Sequence, residues 1–520
     1  MLPRERGSFI ADEDRWQNRP RGAAIEIGMN ASSKSTDGQR PSRQVGEERQ
    51  EAPSATTTSR ELRVRIGFAK EDSIGGDPPA GMLRWSVPFW HATGPDSPTK
   101  AGAKPDEERG VNGNQNPEER CVPIAADRLH SLSLTAQWIE RSINPSTGGS
   151  AGFYSRLYRP LKGWSAPYPE TTGYLIPSLL RLRRLHPGFD RFRDYARRMA
   201  DWICGLQFED GGLPGGLFNP GKATPSIFNT AQMVKGLAAV WQETGDRKCH
   251  QAMERALDWL CASQEPDGSW QKFAYAPGFF PSYYTRVAWP ILIGHQVTGK
   301  DAYASAARRT LDHILARQQS NGYVRDCGFA PGGYAFLHTV VYTIRGFLES
   351  GLILGDDRYW QAGERFAHAL LTRFEETQSL AGAYDAEFRE ESSYACLTGN
   401  AQMAIAWMRI YQRNRDPRYL TAASRAIDLV AAKQVKRSLD RNRVGAIAGS
   451  SPVGGRYAAH RYPNWAAKFF MDALLLEASL LAERSTPPTS NVAREPGSIG
   501  AAQSLAGSTA PSVGVGEAVT

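Results

Sequence analysis

Four side chains with acid–base chemistry stand at or beside the predicted starts of apolar helical segments in the second part of the chain. Glu170 lies in YPETTGY, Tyr284 in PSYYTRVAW, His338 in HTVVYTIRG and Asp385 in AGAYDAEFREE. Carboxyl, imidazole and phenol groups are the usual general acids and bases of enzymes. We therefore take these four as candidate catalytic residues. The structural alternatives are a capping carboxylate for Glu170, a core histidine for His338 and a solvated loop charge for Asp385.

Side chains suited to binding a polar ligand occur at the same predicted helix starts. Arginine binds carboxylates through two parallel hydrogen bonds, and amides and aromatic rings contact sugar hydroxyls and sugar faces. Helix caps and polar loop edges are the ordinary alternatives for the asparagines and tyrosines. The candidate binding residues are Tyr168, Asn229, Arg286, Tyr342, Asn400, His460, Tyr462, Asn464, Trp465 and Lys468.

Two kinds of helix alternate along the chain. Amphipathic helices are predicted at 127–142, 189–206, 247–263, 301–317, 357–377 and 417–433. More uniformly apolar helices, typical of helices buried on both sides, are predicted at 168–182, 228–241, 284–296, 338–351, 396–411 and 462–480. Five of the amphipathic helices end at a glutamine followed by a turn, which repeats the unit every 54 to 60 residues. The pattern predicts six helical hairpins, with the apolar helices inside.

The two kinds of connection differ in length. Links from an inner to an outer helix, such as 243–248 and 353–358, are short and combine Gly with Asp, as expected for a helix C-terminus followed by an N-cap. Links from an outer to an inner helix run to about twenty residues, and long loops in a compact domain are usually functional. Because the helices alternate in direction, all long loops and all inner-helix N-termini should gather at one end of a ring.

The segment 255–270, RALDWLCASQEPDGSW, resembles the glutamine–tryptophan repeat of the squalene cyclase group. Six helical hairpins in two concentric rings resemble the (α/α)6 toroid. Terpenoid cyclases and protein prenyltransferases share this fold with six-hairpin glycosidases, polysaccharide lyases and sugar epimerases. The resemblance implies an all-α toroid over 127–482. The polar, Gly- and Pro-rich compositions of 1–126 and 483–520 predict a largely disordered N-terminal extension and a disordered C-terminal tail.

Two departures weigh against an isoprenoid enzyme. A class II cyclase needs a DxDD motif to protonate an alkene, and the chain has none. A protein prenyltransferase binds zinc through Asp, Cys and His, but Asp326 and Cys327 are adjacent and are not spaced to chelate a metal. A zinc site formed by Cys396, His338 and His460 is a weaker interpretation than Cys396 as a small residue at a helix start. No metal or other cofactor is expected.

Charged and aromatic residues at the mouth of a helical ring suit an acidic carbohydrate, because six helix N-termini favour an anionic ligand. The preferred hypothesis is an enzyme acting on a uronate-containing poly- or oligosaccharide. Hydrolysis would use Glu170 and Asp385 as the two carboxylates. Elimination or epimerisation would use His338 and Tyr284, with Arg286 and Asn400 holding the substrate carboxylate. The alternatives are an isoprenoid-handling toroid and a non-catalytic scaffold that binds glycan.

Bulk composition narrows the class of partners. The formal net charge is +8, and no Lys/Arg block with interleaved aromatics indicates nucleic-acid binding. The six cysteines are scattered without a CxxC pair, and no run of 18 apolar residues or secretory leader is visible. We therefore expect a reduced, cytoplasmic protein without a transmembrane segment. Its expected partners are an acidic glycan or another small-molecule substrate, and proteins of polysaccharide synthesis are further candidates.

Overall fold

The computed structural model describes residues 124–156, 163–185 and 187–485, so the predicted terminal extensions lie almost wholly outside the described residues. Twelve α-helices are present in this part of the chain. None of them is both long and apolar enough to cross a membrane. The helices are α1 (Ala126–Ser142), α2 (Pro169–Arg183), α3 (Phe192–Gly205), α4 (Ile227–Thr244), α5 (Arg247–Ala262), α6 (Thr285–Thr298), α7 (Asp301–Leu315), α8 (Leu337–Leu354), α9 (Asp357–Thr377), α10 (Leu397–Asn414), α11 (Pro417–Lys433) and α12 (Asn464–Ser485).

The even-numbered helices form a closed inner ring. Each packs against its two even-numbered neighbours, and α12 packs against α2 to close the circle. Each inner helix also packs against the outer helix that follows it, and α12 packs against α1 at the opposite end of the chain. The prediction of an (α/α)6 toroid is therefore confirmed, and its sixth hairpin joins the two ends of the folded region.

Short strands form in the long loops and tie neighbouring loops together. They are β1 (Phe153–Ser155), β2 (Gly163–Trp164), β3 (Ala335–Phe336), β4 (Ala383–Tyr384), β5 (Ala395–Cys396), β6 (Ser450–Ser451) and β7 (Arg461–Pro463). All pairs are antiparallel: β2–β1–β7 form one sheet, and β3–β4 and β5–β6 form two more. The β1–β7 pair joins the first long loop to the last.

One backbone hydrogen bond recurs around this rim. The amide at the start of an inner helix donates to a carbonyl in the next long loop. The pairs are Ile227 to Phe273, Ser282 to Asp326, Leu337 to Gly382, Leu397 to Gly449 and Asn464 to Gly152. Because the last pair returns to the first loop, the long loops gather at one end of the ring, as predicted.

The short links contain the predicted caps. Gly245, Gly299 and Gly355 adopt left-handed backbone angles at the ends of α4, α6 and α8. The side chains of Asp246, Asp356 and Asp416 accept hydrogen bonds from backbone amides at the starts of α5, α9 and α11. Two links depart from the pattern. Arg415 takes the left-handed position where the other links have glycine, and Lys300 is the N-cap residue of α7 without a capping side-chain hydrogen bond.

The repeated glutamine fastens each outer helix to the next one. The Nε2 atoms of Gln207, Gln264 and Gln318 each donate to a glycine carbonyl in their own turn and to a carbonyl of the following outer helix. Gln434, which follows the last outer helix α11, makes the equivalent contacts with the first outer helix: its Nε2 donates to Gly445 O in its own turn and to Ser131 O on α1. Gln378 differs: its Nε2 donates to Glu375 O within its own helix. The repeat is therefore a device of the fold rather than of a site.

Replacing Gln434 with alanine should weaken the closure of the ring. Its Nε2 donates to Ser131 O, Thr135 Oγ1 and Gly445 O, and the side chain is buried. Leaving these groups without a donor should lower the free energy of unfolding by roughly 2–3 kcal/mol, as measured by urea denaturation. The control is alanine at Gln361, which is exposed on α9. Equal stability of the two variants would contradict the assigned role.

Candidate active site at the loop end of the ring

The inner helices carry polar and aromatic side chains along the face that lines the ring. Residues three, four or seven apart on a helix share one face. On α8 this face contains His338, Tyr342, Arg345 and Glu349, all of which are buried. The corresponding residues of the other inner helices are Glu170, Tyr174 and Arg181; Asn229, Gln232 and Lys235; Arg286 and Trp289; Thr398, Gln402 and Arg409; and Trp465, Lys468 and Asp472.

Glu170 lies in the first turn of α2, and its side chain is buried among polar groups. It interacts with the hydroxyl of Tyr168, which also lies 3.5 Å from Asn229 Nδ2. Burial raises the pKa of Glu170 to about 7, although the Tyr168 hydrogen bond and the charges of Arg286 and Lys235 act in the opposite direction. A carboxyl group with this pKa can either give or take a proton near neutral pH.

Arg286 faces the same space from the first turn of α6 and is only 2% exposed. Its guanidinium carbon lies 4.7 Å from the centre of the Tyr342 ring and 4.8 Å from that of Trp289. Its Nη2 is 3.5 Å from Gln232 Oε1, and its buried Nε has no hydrogen-bond partner among the described residues. The guanidinium is therefore held by aromatic rings and retains unused donors, which suits the binding of a carboxylate.

His338 lies in the first turn of α8, in contact with two tyrosine rings. Its ring centre is 4.3 Å from that of Tyr342 and 5.2 Å from that of Tyr457. Burial and, to a smaller extent, the charge of Arg286 lower the pKa of His338 to about 3. The imidazole is therefore neutral at physiological pH, and its buried Nδ1 has no partner in the described part of the chain.

Glu170 and His338 occupy opposite sides of the ring, because α2 and α8 are the first and fourth of six inner helices. One turn deeper, the phenols of Tyr174 and Tyr342 interact from these same two helices. The Tyr342 ring also lies 5.7 Å from Phe228 and 6.1 Å from Phe469. The arrangement places two acid–base side chains at the rim, with aromatic rings one turn deeper.

The start of α12 contributes to this cluster from a third direction. The Trp465 ring lies edge-on to Tyr168 at 6.2 Å, and its Nε1 donates to the Tyr457 hydroxyl. Lys468 Nζ lies 4.2 Å from the centre of the Phe469 ring and pairs with Asp472 at 2.7 Å. Burial lowers the pKa of Lys468 to about 7. The structure thus brings together seven of the candidates, which are Tyr168, Glu170, Asn229, Arg286, His338, Tyr342 and Trp465, with Lys468 behind them.

Asp385 has a different environment. Its Oδ1 accepts hydrogen bonds from the backbone amides of Glu387 and Arg389, and its Oδ2 accepts from Arg389 Nε at 2.7 Å. Its pKa is lowered because the Arg389 side chain and these amides outweigh the cost of burial. Both oxygens of Asp385 therefore shape the turn between β4 and β5.

Asn400 and Asn464 hold backbone and loop groups. Asn400 Nδ2 donates to Leu380 O and Cys396 O, and Asn464 Nδ2 donates to Ser150 Oγ and Thr171 Oγ1. The thiol of Cys396 accepts from the Gly399 amide and caps α10. Among the described residues, no group of three His, Cys, Asp or Glu side chains is arranged to hold a metal ion.

The remaining candidates lie around the cluster. The buried Tyr284 hydroxyl accepts from the Tyr275 amide. Tyr462 lies in β7 opposite Tyr154, with the Arg443 guanidinium 5.5 Å from its ring centre. His460 has a left-handed backbone (φ 58°), and its carbonyl accepts from the Arg156 amide. These contacts assign the three residues to the loop framework.

Several lining residues were missed by the sequence analysis: Tyr174, Gln232, Lys235, Trp289, Arg345, Gln402 and Tyr457. Except for Tyr457, they lie one to three turns inside the inner helices. The available signal was spacing, since Lys235 and Gln232 follow Asn229 at intervals that keep them on one face. Polar side chains recurring at that spacing in otherwise apolar helices indicate a polar lumen.

Comparison with known proteins agrees with this architecture. No family model matches the chain. A squalene-hopene cyclase of Schizosaccharomyces japonicus is 25% identical over 212 residues, which is 36% of this chain and 28% of the cyclase. The chain thus matches little more than a quarter of that curated relative's length.

Solved structures match over much more of the chain. An unsaturated glucuronyl hydrolase specific for heparin superimposes with a TM-score of 0.54 at 15% identity, covering 69% of this chain and 98% of the hydrolase. Cellobiose 2-epimerase of Bacillus thermoamylovorans gives 0.53 at 11% identity, over 67% and 97% of the chains. A Clostridium perfringens α-amylase gives 0.52 at 12%, over 68% and 99%. At these identities the likeness shows the fold alone: the chain is an (α/α)6 toroid, as these solved structures are.

Proposed function

We propose that the chain is an enzyme acting on a uronate residue of an acidic oligo- or polysaccharide, by moving the proton on the carbon next to the carboxylate. The observation that carries this proposal is the buried Glu170 carboxyl, with a pKa of about 7, in the field of Arg286 and Lys235. Such a group is a proton acceptor matched to neutral pH, and the neighbouring cations can neutralise a substrate carboxylate.

The charge of the lumen supports an anionic substrate. Cations outnumber carboxylates along the inner faces of the inner helices, and the N-termini of these helices add a further positive field at the mouth. The cations are Arg181, Lys235, Arg286, Arg345, Arg409 and Lys468, and the carboxylates are Glu170, Glu349 and Asp472.

The proposed step begins when the ionised Glu170 takes the C5 proton of the uronate. Arg286 binds the sugar carboxylate and stabilises the negative charge that develops on it. In epimerisation a water molecule next to the neutral His338 gives a proton to C5 on the opposite face, and the hydroxide left behind takes the proton held by Glu170. In elimination the C4–O bond breaks, a C4–C5 double bond forms and the departing oxygen takes the proton held by Glu170. Epimerisation needs access to both faces of the sugar, which agrees with the positions of Glu170 and His338 on opposite inner helices.

Two other functions are less well supported. Hydrolysis with two carboxylates flanking the bond would need Asp385, whose oxygens are held by Arg389 and two amides. An isoprenoid cyclase is favoured by the partial match to squalene-hopene cyclase. However, a carbocation would be destabilised by the buried Arg286 guanidinium, which is charged at neutral pH.

The test uses the full chain with oligosaccharides containing glucuronate, galacturonate or mannuronate, incubated in D2O. We expect at least one of them either to take up one deuterium at C5 or to lose its C5 proton to a C4–C5 double bond, observed by NMR and mass spectrometry. Epimerisation gives a product one mass unit heavier, and elimination gives an unsaturated end that absorbs ultraviolet light. Asp385→Asn should retain this C5 exchange.

Other outcomes would contradict the proposal. Products that carry oxygen from labelled water and no deuterium at C5 would indicate hydrolysis. Binding of a uronate oligosaccharide with neither exchange nor product would indicate a ring that only presents glycan to a synthesis partner. Turnover of a polyprenyl substrate would restore the isoprenoid alternative.

A further inference from the structure

We infer that Trp289, together with the three cations around its indole ring, forms a site for a tetrahedral oxyanion, a sulfate or phosphate group carried by the substrate. This inference rests on the proposed function, because it describes a second anionic group on the same acidic glycan. It names a substrate class, a sulfated or phosphorylated uronate glycan, that the rim cluster alone does not specify.

The geometry converges on one ring. Lys235 Nζ lies 3.6 Å from the centre of the Trp289 ring, and the guanidinium carbons of Arg286 and Arg345 lie at 4.8 and 5.3 Å. The three cations come from α4, α6 and α8, which are consecutive in the inner ring. Each is at least nine-tenths buried, whereas the indole itself is partly exposed. Part of the indole ring that the cations surround is therefore in contact with solvent.

The countercharge at this point is incomplete. Glu349 pairs with Arg345 at 2.7 Å, but it also pairs with Arg409 at 3.0 Å. Lys235 makes no ion pair or hydrogen bond with any residue in the described part of the chain. The buried Nε atoms of Arg286 and Arg345 are also without partners there. The site therefore offers free donors and an excess of positive charge, which a divalent oxyanion would match.

Stacking on tryptophan does not account for this arrangement as structure alone. A cation over an indole gains less than the burial of an uncompensated charge costs, even after relaxation. Arg345 is paired with Glu349, but Lys235 and Arg286 have no carboxylate partner in the described part of the chain. These two side chains are therefore a net cost in the unliganded fold, and an anion beside them would lower that cost. A structural stack would work equally well with one cation.

The charges around Lys235 predict how binding depends on pH. Burial lowers the pKa of Lys235 well below its ordinary value, and Arg286, Lys468 and Arg345 lower it further, whereas Glu349 acts in the opposite direction. Glu170 also faces this lysine. A bound dianion favours the protonated amine, so binding takes up a proton. Affinity should then rise as the pH falls, by up to tenfold per pH unit over the range in which the free lysine titrates.

The experiment is isothermal titration calorimetry of the full chain with sodium sulfate, since sulfate itself does not titrate between pH 5 and 9. Phosphate is the second probe, and chloride and acetate are the controls. We expect sulfate affinity to rise as the pH is lowered through a series from 9 to 5, with proton uptake seen in buffers of different ionisation enthalpy. Lys235→Met should weaken binding at least tenfold without lowering the melting temperature. Lys248→Met, at a lysine whose side chain is 60% exposed, should leave binding unchanged.

Failure of this inference is separable from failure of the proposed function. Turnover of a uronate glycan, with sulfate and phosphate neither binding nor inhibiting, would overturn the oxyanion site alone. Binding of sulfate by the wild type and equally by Lys235→Met would also overturn it. Sulfate binding lost in Lys235→Met, without C5 exchange on any glycan, would overturn the proposed reaction and leave the site. Comparing KM for sulfated, phosphorylated and unsubstituted uronate oligosaccharides then identifies the source of the group.

Discussion

Replacing Glu170 with glutamine is expected to lower kcat for the uronate substrate by about 10²- to 10⁴-fold, the usual contribution of a positioned general base. Glutamine keeps the size of the side chain and can still hydrogen-bond to Tyr168, but it cannot accept the C5 proton. KM should change much less than kcat, because Arg286 and the aromatic rings around it remain. Steady-state kinetics of both proteins, with C5 deuterium exchange as a second readout, measures this effect.

The pH dependence of the wild type reports the role of Glu170. Since its pKa is about 7 and the ionised form is the base, kcat should rise with pH through the neutral range. His338, with a pKa near 3, stays neutral above pH 5 and adds no limb there. In Glu170→Gln the residual kcat should no longer rise with pH through the neutral range. A wild-type rate that falls above pH 7 would instead make Glu170 a general acid and would favour hydrolysis.

The same pKa shift predicts a change in stability. Because folding raises the pKa of Glu170 from 4.5 to about 7, the folded state binds more protons than the unfolded state between these values. The contribution of Glu170 to the free energy of unfolding is therefore largest below pH 4.5 and is lost as the pH rises through 7, by roughly 3 kcal/mol. Urea denaturation of Glu170→Gln should lack this decline, so the variant should become the more stable protein at pH 8.

Glu209→Gln is the matched control for these measurements, because Glu209 is an exposed residue of the loop between α3 and α4 at the same end of the ring. It should show wild-type kinetics and a wild-type dependence of stability on pH. Full activity in Glu170→Gln would contradict the assignment of the base, whatever its stability.

The fold could be predicted because its signals are periodic and local. Apolar residues repeat at helical spacing, the short links carry their caps at Gly245 and Asp246, and the glutamine turns recur at one interval. The packing of α12 against α1 follows from the same count, because six hairpins need the first outer helix to pair with the last inner helix. The β1–β7 pairing was not predicted, since strands of two or three residues leave no pattern in the sequence.

The site was predicted only at its rim. Glu170, Arg286 and His338 were found because helix starts can be located from the sequence. Lys235 and Trp289 were missed, because single polar or large residues within apolar helices are also compatible with a helix face in contact with solvent. The sequence did not distinguish Asp385 from the candidates at the helix starts. A carboxylate that organises a turn and a carboxylate that contacts a substrate look the same in a sequence, and only the structure places Arg389 beside Asp385.

Replacing Gly445 with alanine is expected to open the ring at the point where the chain ends meet. Gly445 has a φ of 89°, and an added Cβ would lie 2.0 Å from the carbonyl oxygen of Leu134 on α1. Neither backbone can move easily, because the Gly445 amide donates to Val435 O and its carbonyl accepts from Gln434. Overpacking against backbone adds to the unfavourable left-handed conformation, so the free energy of unfolding should fall by on the order of 3–5 kcal/mol.

Gly245→Ala separates the two causes. Gly245 is also left-handed (φ 70°), but no atom lies within 4 Å of an added Cβ. That variant should lose only about 1–2 kcal/mol, the conformational cost for a residue other than glycine. Urea denaturation of both variants gives the difference, which belongs to the contact with α1. Equal losses would mean that α1 does not lock the ring at this point, and the closed circle that holds Glu170 opposite His338 would need another support.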